Sequence, residues 1–401
     1  MKVVSVIGLG YIGLPTAVFA ANAGYTVQGC DINERVVSSV EQGNLHLVEP
    51  GLDTLLKNAV DSGNLTASIN LKMADVYLIC VPTPFKGLEK DPDLSAVFSA
   101  VESICRFLKA GDLIILESTC PVGTTESVHD YLVGKGHKKG TFNVVYCPER
   151  VLPGNVIEEF QSNPRLVGEV NNDGFALAEN FYSIFTSCTL HKTDSQTAEL
   201  CKLAENSFRD INIAFANELS MICNDKIDVN NLIKLANLHP RVNILNPGPG
   251  VGGHCISVDP WFIVSGFPEH SKLIKMARTV NDAKPQWVIA KILSSVDRLT
   301  TSSGKAPRVV VYGLTFKPNI DDLRESPALQ IARELQKSCS DVSFVEPNVE
   351  NLESFNLIDL EEGVSKGDLH VMLVAHTEFK SEIVRSKMSP KIVLDFCGCF
   401  T

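Results

Sequence analysis

The chain has 401 residues, of which 44% are hydrophobic and 21% are charged, and its formal net charge is -11. This length exceeds what one hydrophobic core normally holds, so two or three globular domains are predicted. The negative charge disfavours a nucleic-acid or anionic-membrane partner, because it repels a polyanion at long range. The apolar runs are too short to cross a bilayer. Twelve cysteines without CxxC spacing, in a chain that shows no export signal, predict a cytoplasmic protein with reduced thiols and no metal site.

A strand, a glycine turn and a helix open the chain. A β-branched run at residues 3–7 leads into Gly8-Leu9-Gly10-Tyr11-Ile12-Gly13, and a helical apolar pattern follows. In this context GxGxxG indicates a dinucleotide site, because its glycines permit a tight turn, approach of a pyrophosphate and close packing of helix on strand. The next strand, at residues 25–30, ends at Asp31. Its carboxylate suits the ribose hydroxyls of NAD and repels the 2'-phosphate of NADP; the alternative is a solvated strand end or a helix cap.

Further strands of the same parallel sheet are predicted, each ending in a polar turn that contains proline. These strands lie at residues 76–81, 113–116 and 144–147, with helical patterns at 96–108 and 125–132 between them. Ligands bind at the carboxyl ends of strands in such sheets, so Thr83, Thr119 and Glu149 are predicted to face the nicotinamide half of the cofactor. Taken alone, each would be a turn residue or a helix cap.

A long helix is predicted from residues 193–195 to about 223, with Asp194 or Ser195 as its N-cap. Its length of roughly 45 Å is typical of a helix that bridges domains or forms a subunit interface. Lys202, Asn206 and Asp210 recur on one face among apolar residues. A solvated polar stripe is the alternative, but a lysine in apolar surroundings can stabilise an oxyanion.

A glycine- and proline-rich segment, residues 246–260, follows a second predicted helix that is capped at Asp228. Its four glycines and three prolines exclude regular helix or strand, so it must be a shaped loop. This loop presents Cys255, with Asp259 four residues further on. A nucleophile would be well placed there, and a buried structural cysteine is the alternative. Residues 272–297 then predict a helix that is interrupted near Pro285.

The last third predicts a second α/β sheet after a linker at residues 300–307. Its strands are predicted at 308–314, 342–345, 370–374 and 392–396, with a helix that starts at Ser326-Pro327. Lys317 and Arg324 lie where the βα turn of a nucleotide-binding unit belongs, so they could hold a second phosphorylated ligand. The alternative is a surface ion-pair cluster with neighbouring acids, namely Asp321, Asp322 and Glu325.

These patterns predict an α/β protein with two Rossmann-like, doubly wound sheets joined by a long central helix. The predicted domains are an NAD-binding domain at residues 1–192, a central helical region at 193–299, and a second α/β domain at 300–401. An NAD site beside a reactive thiol suits oxidation of an aldehyde to an acid, because the hydride must leave from a tetrahedral adduct such as a thiohemiacetal.

The chain resembles the UDP-glucose/GDP-mannose dehydrogenase family over essentially its whole length. The motifs that carry the resemblance are residues 8–13, 81–84, 117–125, 147–154, 199–219, 239–245, 248–259 and 316–327. Two stretches, residues 148–154 and 239–245, resemble the N-acetylmannosamine branch. The resemblance implies NAD-dependent, four-electron oxidation of UDP-N-acetyl-D-mannosamine at C6 to the uronate, through a thiohemiacetal and thioester, for surface polysaccharide synthesis.

The resemblance also implies catalytic roles. Cys255 would be the nucleophile, and Lys202 and Asn206 would stabilise the oxyanion, with Lys202 also a candidate for proton transfer. Asp259 and Thr119 would order the water, and Glu149 would act as the base for thioester hydrolysis.

The same resemblance implies dimerisation and catalysis for the central region at 193–299, UDP-sugar binding for the α/β domain at 300–401, and a homodimer with the long helix at its core. Arg241 would reach the substrate in the neighbouring subunit, and Lys317 and Arg324 would face the nucleotide sugar. The expected cofactor residues are Gly8, Gly10, Tyr11, Ile12, Gly13, Asp31, Arg35, Thr83 and Thr119. The expected substrate residues are Glu149, Arg150, Val151, Lys202, Asn206, Arg209, His239, Arg241, Asn243, Gly250, Gly252, Lys317 and Arg324.

The sequence departs from the glucose branch at one position that concerns the mechanism. That branch has a second acid shortly after the position of Glu149, where this chain has Leu152-Pro153-Gly154. The carboxylate that activates water therefore stays open. UDP-N-acetylglucosamine, UDP-N-acetylgalactosamine and UDP-glucose are alternative substrates. A two-electron dehydrogenase of the 6-phosphogluconate or hydroxyacid type, and a non-catalytic NAD-responsive scaffold, are alternative functions.

Overall fold

The computed structural model describes residues 2–47, 49–87, 90–151, 154–171, 173–223, 226–349 and 352–400. The chain divides into two compact units, residues 1–205 and 206–401. Each unit contains a largely parallel sheet, so the predicted α/β class with two doubly wound sheets is confirmed. Within the described residues, no helix has the combination of length and apolar character that a membrane crossing requires.

The first unit is built on an eight-stranded sheet and a small hairpin. Its strands are β1 (Val3–Ile7), β2 (Thr26–Cys30), β3 (Leu65–Ser68), β4 (Val76–Ile79), the hairpin strands β5 (Phe85–Lys86) and β6 (Asp91–Pro92), β7 (Leu113–Leu116), β8 (Asn143–Tyr146), β9 (Arg165–Glu169) and β10 (Leu190–Asp194). Its helices are α1 (Gly13–Asn22), α2 (Glu34–Glu41), α3 (Leu52–Asp61), α4 (Ser95–Cys105), α5 (Thr124–Gly134), α6 (Val156–Ser162) and α7 (Gly174–Tyr182). The long helix α8 (Ser195–Cys223) begins in this unit and ends in the next.

The order of the strands in this sheet defines where a ligand belongs. They run β10-β9-β8-β7-β4-β1-β2-β3, and only the pairing of β8 with β9 is antiparallel among the described neighbours. From β1 the chain continues to β2 on one side, whereas β4 pairs with β1 on the other side. This reversal is a topological switch point, and ligands bind outside the carboxyl ends of the strands at such points. β4 and β7 are buried along their whole length, as expected for central parallel strands.

The second unit contains a four-stranded parallel sheet. Its elements are α9 (Val229–Ala236), α10 (Asp259–Gly266), α11 (Lys272–Ser303), β11 (Val309–Tyr312), α12 (Pro327–Ser338), β12 (Val342–Val345), α13 (Leu360–Lys366), β13 (Leu369–Met372), a 3-10 turn (Thr377–Lys380), α14 (Glu382–Met388) and β14 (Ile392–Asp395). The strands run in the order β12-β11-β13-β14. Ser326 caps α12 by accepting a hydrogen bond from the Leu329 amide, as the sequence predicted.

The predicted helix interruption near Pro285 is wrong. α11 continues through this proline for its full 32 residues. Proline removes one hydrogen bond from a helix. Here the flanking residues Asn281, Lys284 and Val288 are buried, so packing keeps the helix continuous.

The predicted linker at residues 300–307 is wrong in its first half, because Thr300 to Ser303 belong to α11. The hydroxyls of Thr300 and Ser303 donate to the carbonyls of Val296 and Leu299, both at 2.8 Å, so they satisfy helix carbonyls locally. The helix ends at Gly304, whose φ of 70° is left-handed. The division into residues 1–192, 193–299 and 300–401 stays a prediction.

Gly13→Ala should destabilise the protein, whereas Gly10→Ala should not. A Cβ at Gly13 would lie 1.9 Å from the Gly8 carbonyl oxygen, so backbone must move to accept it. We expect the free energy of unfolding to fall by about 2–4 kcal/mol, measured by circular dichroism during denaturation. A Cβ at Gly10 would meet no atom of the described residues within 4 Å, which makes it the matched control. Equal stability of the two variants would contradict the packing role of Gly13.

Lys284→Met should stabilise the protein at neutral pH and flatten the dependence of stability on pH. Burial lowers the pKa of Lys284 to about 7 from an ordinary value of 10.5. Between these pH values the unfolded chain holds a proton that the native state lacks, so the wild type should gain stability as pH rises from about 7 to about 10. Urea titrations across that range measure the slope. Lys291→Met, about two turns further along α11, is the control. Its stability should depend on pH as that of the wild type does.

Candidate functional site

The glycine turn between β1 and α1 is shaped by two steric contacts and one open space. Gly8 has a left-handed φ of 91°, and a Cβ there would lie 2.5 Å from the Cys80 carbonyl oxygen. Gly13 packs its α-carbon onto the Gly8 carbonyl. Gly10 instead borders open space. The turn is therefore held against the end of β4 while its middle stays accessible to a ligand.

The start of α1 suits a phosphate group. Among the described residues, no side chain caps this helix and no acid lies in its first turn. Helix N-termini with free amides attract anions through those amides and the helix dipole. Ile12 occupies the N-cap position, and Tyr11 is partly buried against the core. These features fit the pyrophosphate of NAD in front of Gly10.

Asp31 lies at the end of β2 and fixes the glycine turn. Its carboxylate accepts hydrogen bonds from the amides of Leu9 and Asn33, both at 2.9 Å. Asn33, not Asp31, is the N-cap of α2, and Arg35 is exposed in the first turn of that helix. A further contact was not predicted: the ring Nε2 of His46 donates to the Leu9 carbonyl at 2.8 Å. The amide and the carbonyl of Leu9 are thus both held by side chains, beside the open Gly10.

The turns after β4 and β7 contact each other. The Thr83 hydroxyl donates to the Thr119 carbonyl at 2.5 Å, and the Ser118 hydroxyl donates to the Val81 carbonyl at 2.8 Å. Two residues that the sequence placed near the nicotinamide are therefore brought together at the carboxyl end of the sheet. Thr119 is partly exposed, so it remains accessible to a ligand.

Glu149 follows β8 and is fixed by a buried ion pair. Its carboxylate accepts from the Arg165 guanidinium at 2.9 Å and from the Arg150 amide at 2.6 Å. Its backbone carbonyl accepts from Lys202 Nζ at 2.8 Å. The structure therefore brings the predicted base and the predicted oxyanion lysine together within the first unit. Arg165 was not predicted, because a single arginine at the start of a strand gives no local signal.

Two further substrate candidates lie beside Glu149. The Arg150 side chain forms a two-point ion pair with Glu205 at 2.5 and 3.1 Å. Val151 packs against the hydrophobic core of the first unit. Leu152 and Pro153, where the glucose branch differs, lie outside the described residues. Gly154 and Val156 donate their amides to the buried carboxylate of Glu49, both at 2.8 Å, which anchors the segment after Glu149.

A second buried carboxyl group, Glu117, lies at the end of β7 and was also missed. It accepts from the Tyr182 hydroxyl at 2.5 Å, the Thr16 hydroxyl at 3.2 Å and the Cys80 thiol at 3.2 Å. Burial raises the pKa of Glu117 to about 7, with the positive charge of Arg165 opposing the rise. A group that exchanges a proton near neutral pH therefore lies directly beneath the glycine turn of α1.

The second unit carries the thiol. Of the twelve cysteines, all within the described residues, Cys255 is the exposed one, so the alternative of a buried structural cysteine is excluded. Its carbonyl accepts from the Asp259 amide at 2.8 Å, where α10 begins. The buried carboxylate of Asp259 accepts from Asn206 Nδ2 of α8 at 2.5 Å. The predicted oxyanion amide and the predicted water-ordering acid are therefore partners of each other.

Residues 248–253 lead to Cys255 and are here called the thiol loop. Their glycines are needed for contacts within the protein. A Cβ at Gly250 would lie 2.8 Å from the Pro327 ring, and one at Gly252 would lie 2.4 Å from the Glu325 carbonyl oxygen. Gly253 has a φ of 82° and faces the Phe316 ring. Within the protein, these glycines approach the segment between β11 and α12 closely. The expected contact of Gly250 and Gly252 with the substrate stays a prediction.

That segment carries Lys317 and Arg324, and its arginine is engaged in an ion pair. The Arg324 guanidinium binds Asp322 at 2.6 and 2.9 Å, and the Gly253 amide donates to the Arg324 carbonyl at 3.3 Å. Burial opposes ionisation of Asp322, but the hydrogen bonds from Arg324 hold its pKa below the ordinary value. His254, beside the thiol, lies 3.8 Å from the Asp322 carboxylate. The ion-pair alternative for Arg324 is thus present in the structure.

The remaining substrate candidates lie on the surface of the second unit. They are Arg209 on α8 and His239, Arg241 and Asn243 after α9, and all four are exposed. The Arg241 amide donates to the His239 ring at 3.3 Å. Their exposure is compatible with contact to a substrate or to another subunit.

The chain is similar to one family of enzymes from end to end. Within the UDP-glucose/GDP-mannose dehydrogenase family, the NAD binding domain matches residues 1–186, the central domain residues 196–283 and the UDP binding domain residues 310–401. A UDP-N-acetyl-D-mannosamine dehydrogenase of Escherichia coli is 49% identical over 396 residues, which cover 94% of each chain. An NDP-N-acetyl-D-galactosaminuronic acid dehydrogenase of Ralstonia nicotianae is 46% identical and covers 100% of this chain and 96% of its own.

A solved structure agrees with these relationships. The UDP-D-ManNAc dehydrogenase of Pyrococcus horikoshii superposes with a TM-score of 0.92 at 36% identity, covering 100% of this chain and 96% of its own. The open Gly10, the uncapped α1 and Asp31 fit the cofactor of the matched NAD binding domain. The chain therefore belongs to the UDP-glucose/GDP-mannose dehydrogenase family, and it is an NAD-dependent UDP-sugar dehydrogenase.

Proposed function

We propose that this enzyme oxidises C6 of UDP-N-acetyl-D-mannosamine to the carboxylate, as a cytoplasmic step of surface polysaccharide synthesis. The observation that carries the proposal is the exposed Cys255, presented by the thiol loop against the segment of Lys317 and Arg324. A thiol in this position is required for oxidation to the acid, whereas oxidation to an aldehyde needs no nucleophile. The 49% identity to the Escherichia coli enzyme supports N-acetylmannosamine as the sugar.

The thiol accounts for the second half of the reaction. NAD, when bound, accepts one hydride in each of two oxidations. The Cys255 sulfur adds to the C6 aldehyde, and the aldehyde oxygen takes up the thiol proton. Loss of the C6 hydride from this thiohemiacetal, together with release of its hydroxyl proton to solvent, leaves a thioester. Water then attacks the thioester carbon, the carbon–sulfur bond breaks, and the acid and the free thiol are released.

Charged and polar side chains divide the supporting roles. Lys202 is proposed to stabilise the oxyanion, and its bond to the Glu149 carbonyl supports a fixed position for the ammonium group. Glu149 is proposed as the base for hydrolysis, with Arg165 holding its carboxylate. Asn206 and Asp259 are proposed to act together, since they share a hydrogen bond. Thr119 is proposed to order the attacking water.

The binding roles rest on the two sheets. The proposed domains are an NAD-binding domain at 1–192, a central region at 193–299 and a UDP-sugar domain at 300–401. Lys317 and Arg324 are proposed to take the diphosphate, with the phosphate replacing Asp322 as the partner of Arg324. Arg241 is proposed to reach the substrate of the second subunit in a homodimer.

A second substrate, a UDP-N-acetylgalactosamine-type sugar, has support of its own. The Ralstonia nicotianae relative, named for N-acetylgalactosaminuronic acid, is 46% identical over the whole of this chain. UDP-N-acetylglucosamine and UDP-glucose remain further alternatives. The comparison is decided by kcat/KM across these four sugars, measured with NAD and with NADP.

Cys255→Ala should abolish formation of the acid. The wild type should produce two NADH for each sugar consumed, because each oxidation step transfers one hydride. Absorbance gives the NADH yield, and chromatography gives the sugar product. Cys223→Ala, which removes a buried thiol, is the matched control for loss of a cysteine. One NADH per sugar with an aldehyde as the end product, or acid formation by Cys255→Ala, would refute the thioester route.

Phe215→Glu should convert the proposed homodimer to a monomer. Phe208, Phe215 and Ile222 are 71%, 50% and 69% exposed and recur every seven residues, so they form one apolar face on α8. A buried charge at the centre of such an interface is strongly unfavourable. Light scattering during gel filtration measures the mass, and Glu218→Ala on the same helix is the control. A wild-type monomer, or a variant that remains dimeric, would remove this face as the interface.

A further inference from the structure

The thiol loop is tied to α8 at its first glycine by a buried asparagine. The Gly248 amide donates to Asn217 Oδ1 at 2.8 Å, and Asn217 is fully buried. Asn217 lies within the segment 199–219, but neither the resemblance nor the proposed mechanism assigns it a role. It touches the backbone of the loop seven residues before Cys255. The contact is therefore suited to hold the loop, not to bind substrate.

A chain of buried hydrogen bonds fixes the orientation of the Asn217 amide. Arg278 Nη1 donates to Asp210 Oδ1 at 2.6 Å, and Asn281 Nδ2 donates to the same oxygen at 2.7 Å. Asn217 Nδ2 in turn donates to Asn281 Oδ1 at 2.9 Å. An ionised carboxylate accepts only and a guanidinium donates only, so the direction of every bond in this chain is determined. The Asn217 oxygen is therefore left facing the Gly248 amide.

The same helix also holds the far end of this stretch. Asn206 of α8 bonds to Asp259, and Asn217 bonds to Gly248, so both asparagines contact the stretch that contains Cys255. The two asparagines are eleven residues apart, about three helical turns and about 16 Å, which places them on one face of α8. Gly248 and Asp259 are also eleven residues apart. α8 thus acts as a clamp with one contact at each end of the thiol-bearing stretch.

Between the two clamp contacts, the loop rests on the second sheet. Gly250, Gly252 and Gly253 press against Phe316, Glu325 and Pro327, which leaves no room for side chains. These steric contacts limit how closely the loop can approach the second sheet. They do not fix the position of the loop along its own length. A directed hydrogen bond at Gly248 supplies the missing restraint along the loop.

We propose that Asn217 is a positioning residue for catalysis, which sets the place of the Cys255 thiol through the Gly248 amide and is itself oriented by Asn281, Asp210 and Arg278. This inference rests on the proposed role of Cys255 as nucleophile. Nucleophile misplacement of about 1 Å can reduce turnover by about a hundredfold.

Asn217→Ala tests the proposal by kinetics. We expect kcat for NADH formation with UDP-N-acetyl-D-mannosamine to fall about 10–100-fold, with KM for NAD unchanged. Glu218→Ala, at the exposed neighbouring position of α8, should keep wild-type kcat. A purely structural Asn217 would instead lower the melting temperature and leave kcat per folded molecule unchanged, and that result would overturn the proposal.

Hydrogen–deuterium exchange supplies a readout that does not depend on the reaction. In Asn217→Ala, a peptide covering residues 246–258 should exchange several-fold faster, while peptides of the first unit keep their wild-type rates. Unchanged exchange in this peptide would contradict the restraint.

A loop-side pair keeps the proposal testable if Asn217→Ala does not fold. Gly248→Pro removes the donated amide, whereas Gly248→Ala retains it, and among the described residues a Cβ there meets only the Gly250 carbonyl oxygen, at 3.7 Å. The proline variant should reproduce the loss of kcat and the alanine variant should not. Equal kcat in both would overturn the proposal.

Cys255→Ala separates this inference from the function on which it rests. If Cys255→Ala is inactive while folded Asn217→Ala is fully active, the inference alone fails. If Cys255→Ala still forms the acid, the proposed function fails, and the exchange measurement alone decides whether Asn217 restrains the loop.

Discussion

Two parts of this enzyme depend on backbone that lies closer to other atoms than a Cβ would permit. In the first unit, Gly8 and Gly13 close the turn between β1 and α1 against the end of β4. In the second, Gly250 and Gly252 close the thiol loop against the segment before α12. Each of these contacts forms within a single unit. The turn and the loop therefore take their shapes without a ligand. The two reactive elements, a cofactor turn and a thiol, are therefore preorganised by sterics before their ligands arrive.

Charge in the first unit is balanced around one guanidinium. Arg165 pairs with Glu149 and lies over the rings of Phe160 and Tyr182, with its carbon centre 4.3 and 4.9 Å from their centroids. Glu117 shares this buried region, and burial raises its pKa to about 7. Two full carboxylate charges beside one cation would leave a buried negative charge uncompensated. The raised pKa of Glu117 reduces that imbalance, because near neutral pH part of the population carries a proton on Glu117.

The sequence predicted the strands with continuous apolar runs well and some of the strands with polar residues or glycine poorly. β1 and β7 have the predicted bounds, because strands buried on both faces are continuous apolar runs. β10 was missed, since its exposed His191 and Lys192 break that pattern at the edge of the sheet. The interruption expected at Pro285 failed because packing of α11 overrides the local preference of proline. Secondary structure that depends on tertiary contacts has no local signature.

The site residues also divide into those with a local sequence signal and those that depend on tertiary contacts. Cys255 was identified because a glycine-rich approach is visible in a short stretch of sequence. Arg165 and Asn217 act on partners that are 16 and 31 residues away, so only the fold reveals them. Whether Glu149, Lys202 and Thr119 perform their assigned chemistry stays a prediction, although the structure explains how each is held.

The turns after β1 and β11 share one backbone arrangement, but their surroundings differ. Gly313 has a φ of 87° and is followed by Leu314, whose amide donates to Glu346 at 2.6 Å, as Leu9 donates to Asp31 after Gly8. Glu346 is enclosed beside His376, however, whereas Asp31 is partly exposed.

The second turn also lacks the glycines that open the first one. Where Gly10 and Gly13 would recur, the chain has Thr315 and Pro318, and α12 starts only at Pro327. The intervening residues instead receive the thiol loop through the Gly253 amide. The corresponding turn of the second sheet thus also supports the segment that carries the nucleophile, through Phe316, Glu325 and Pro327.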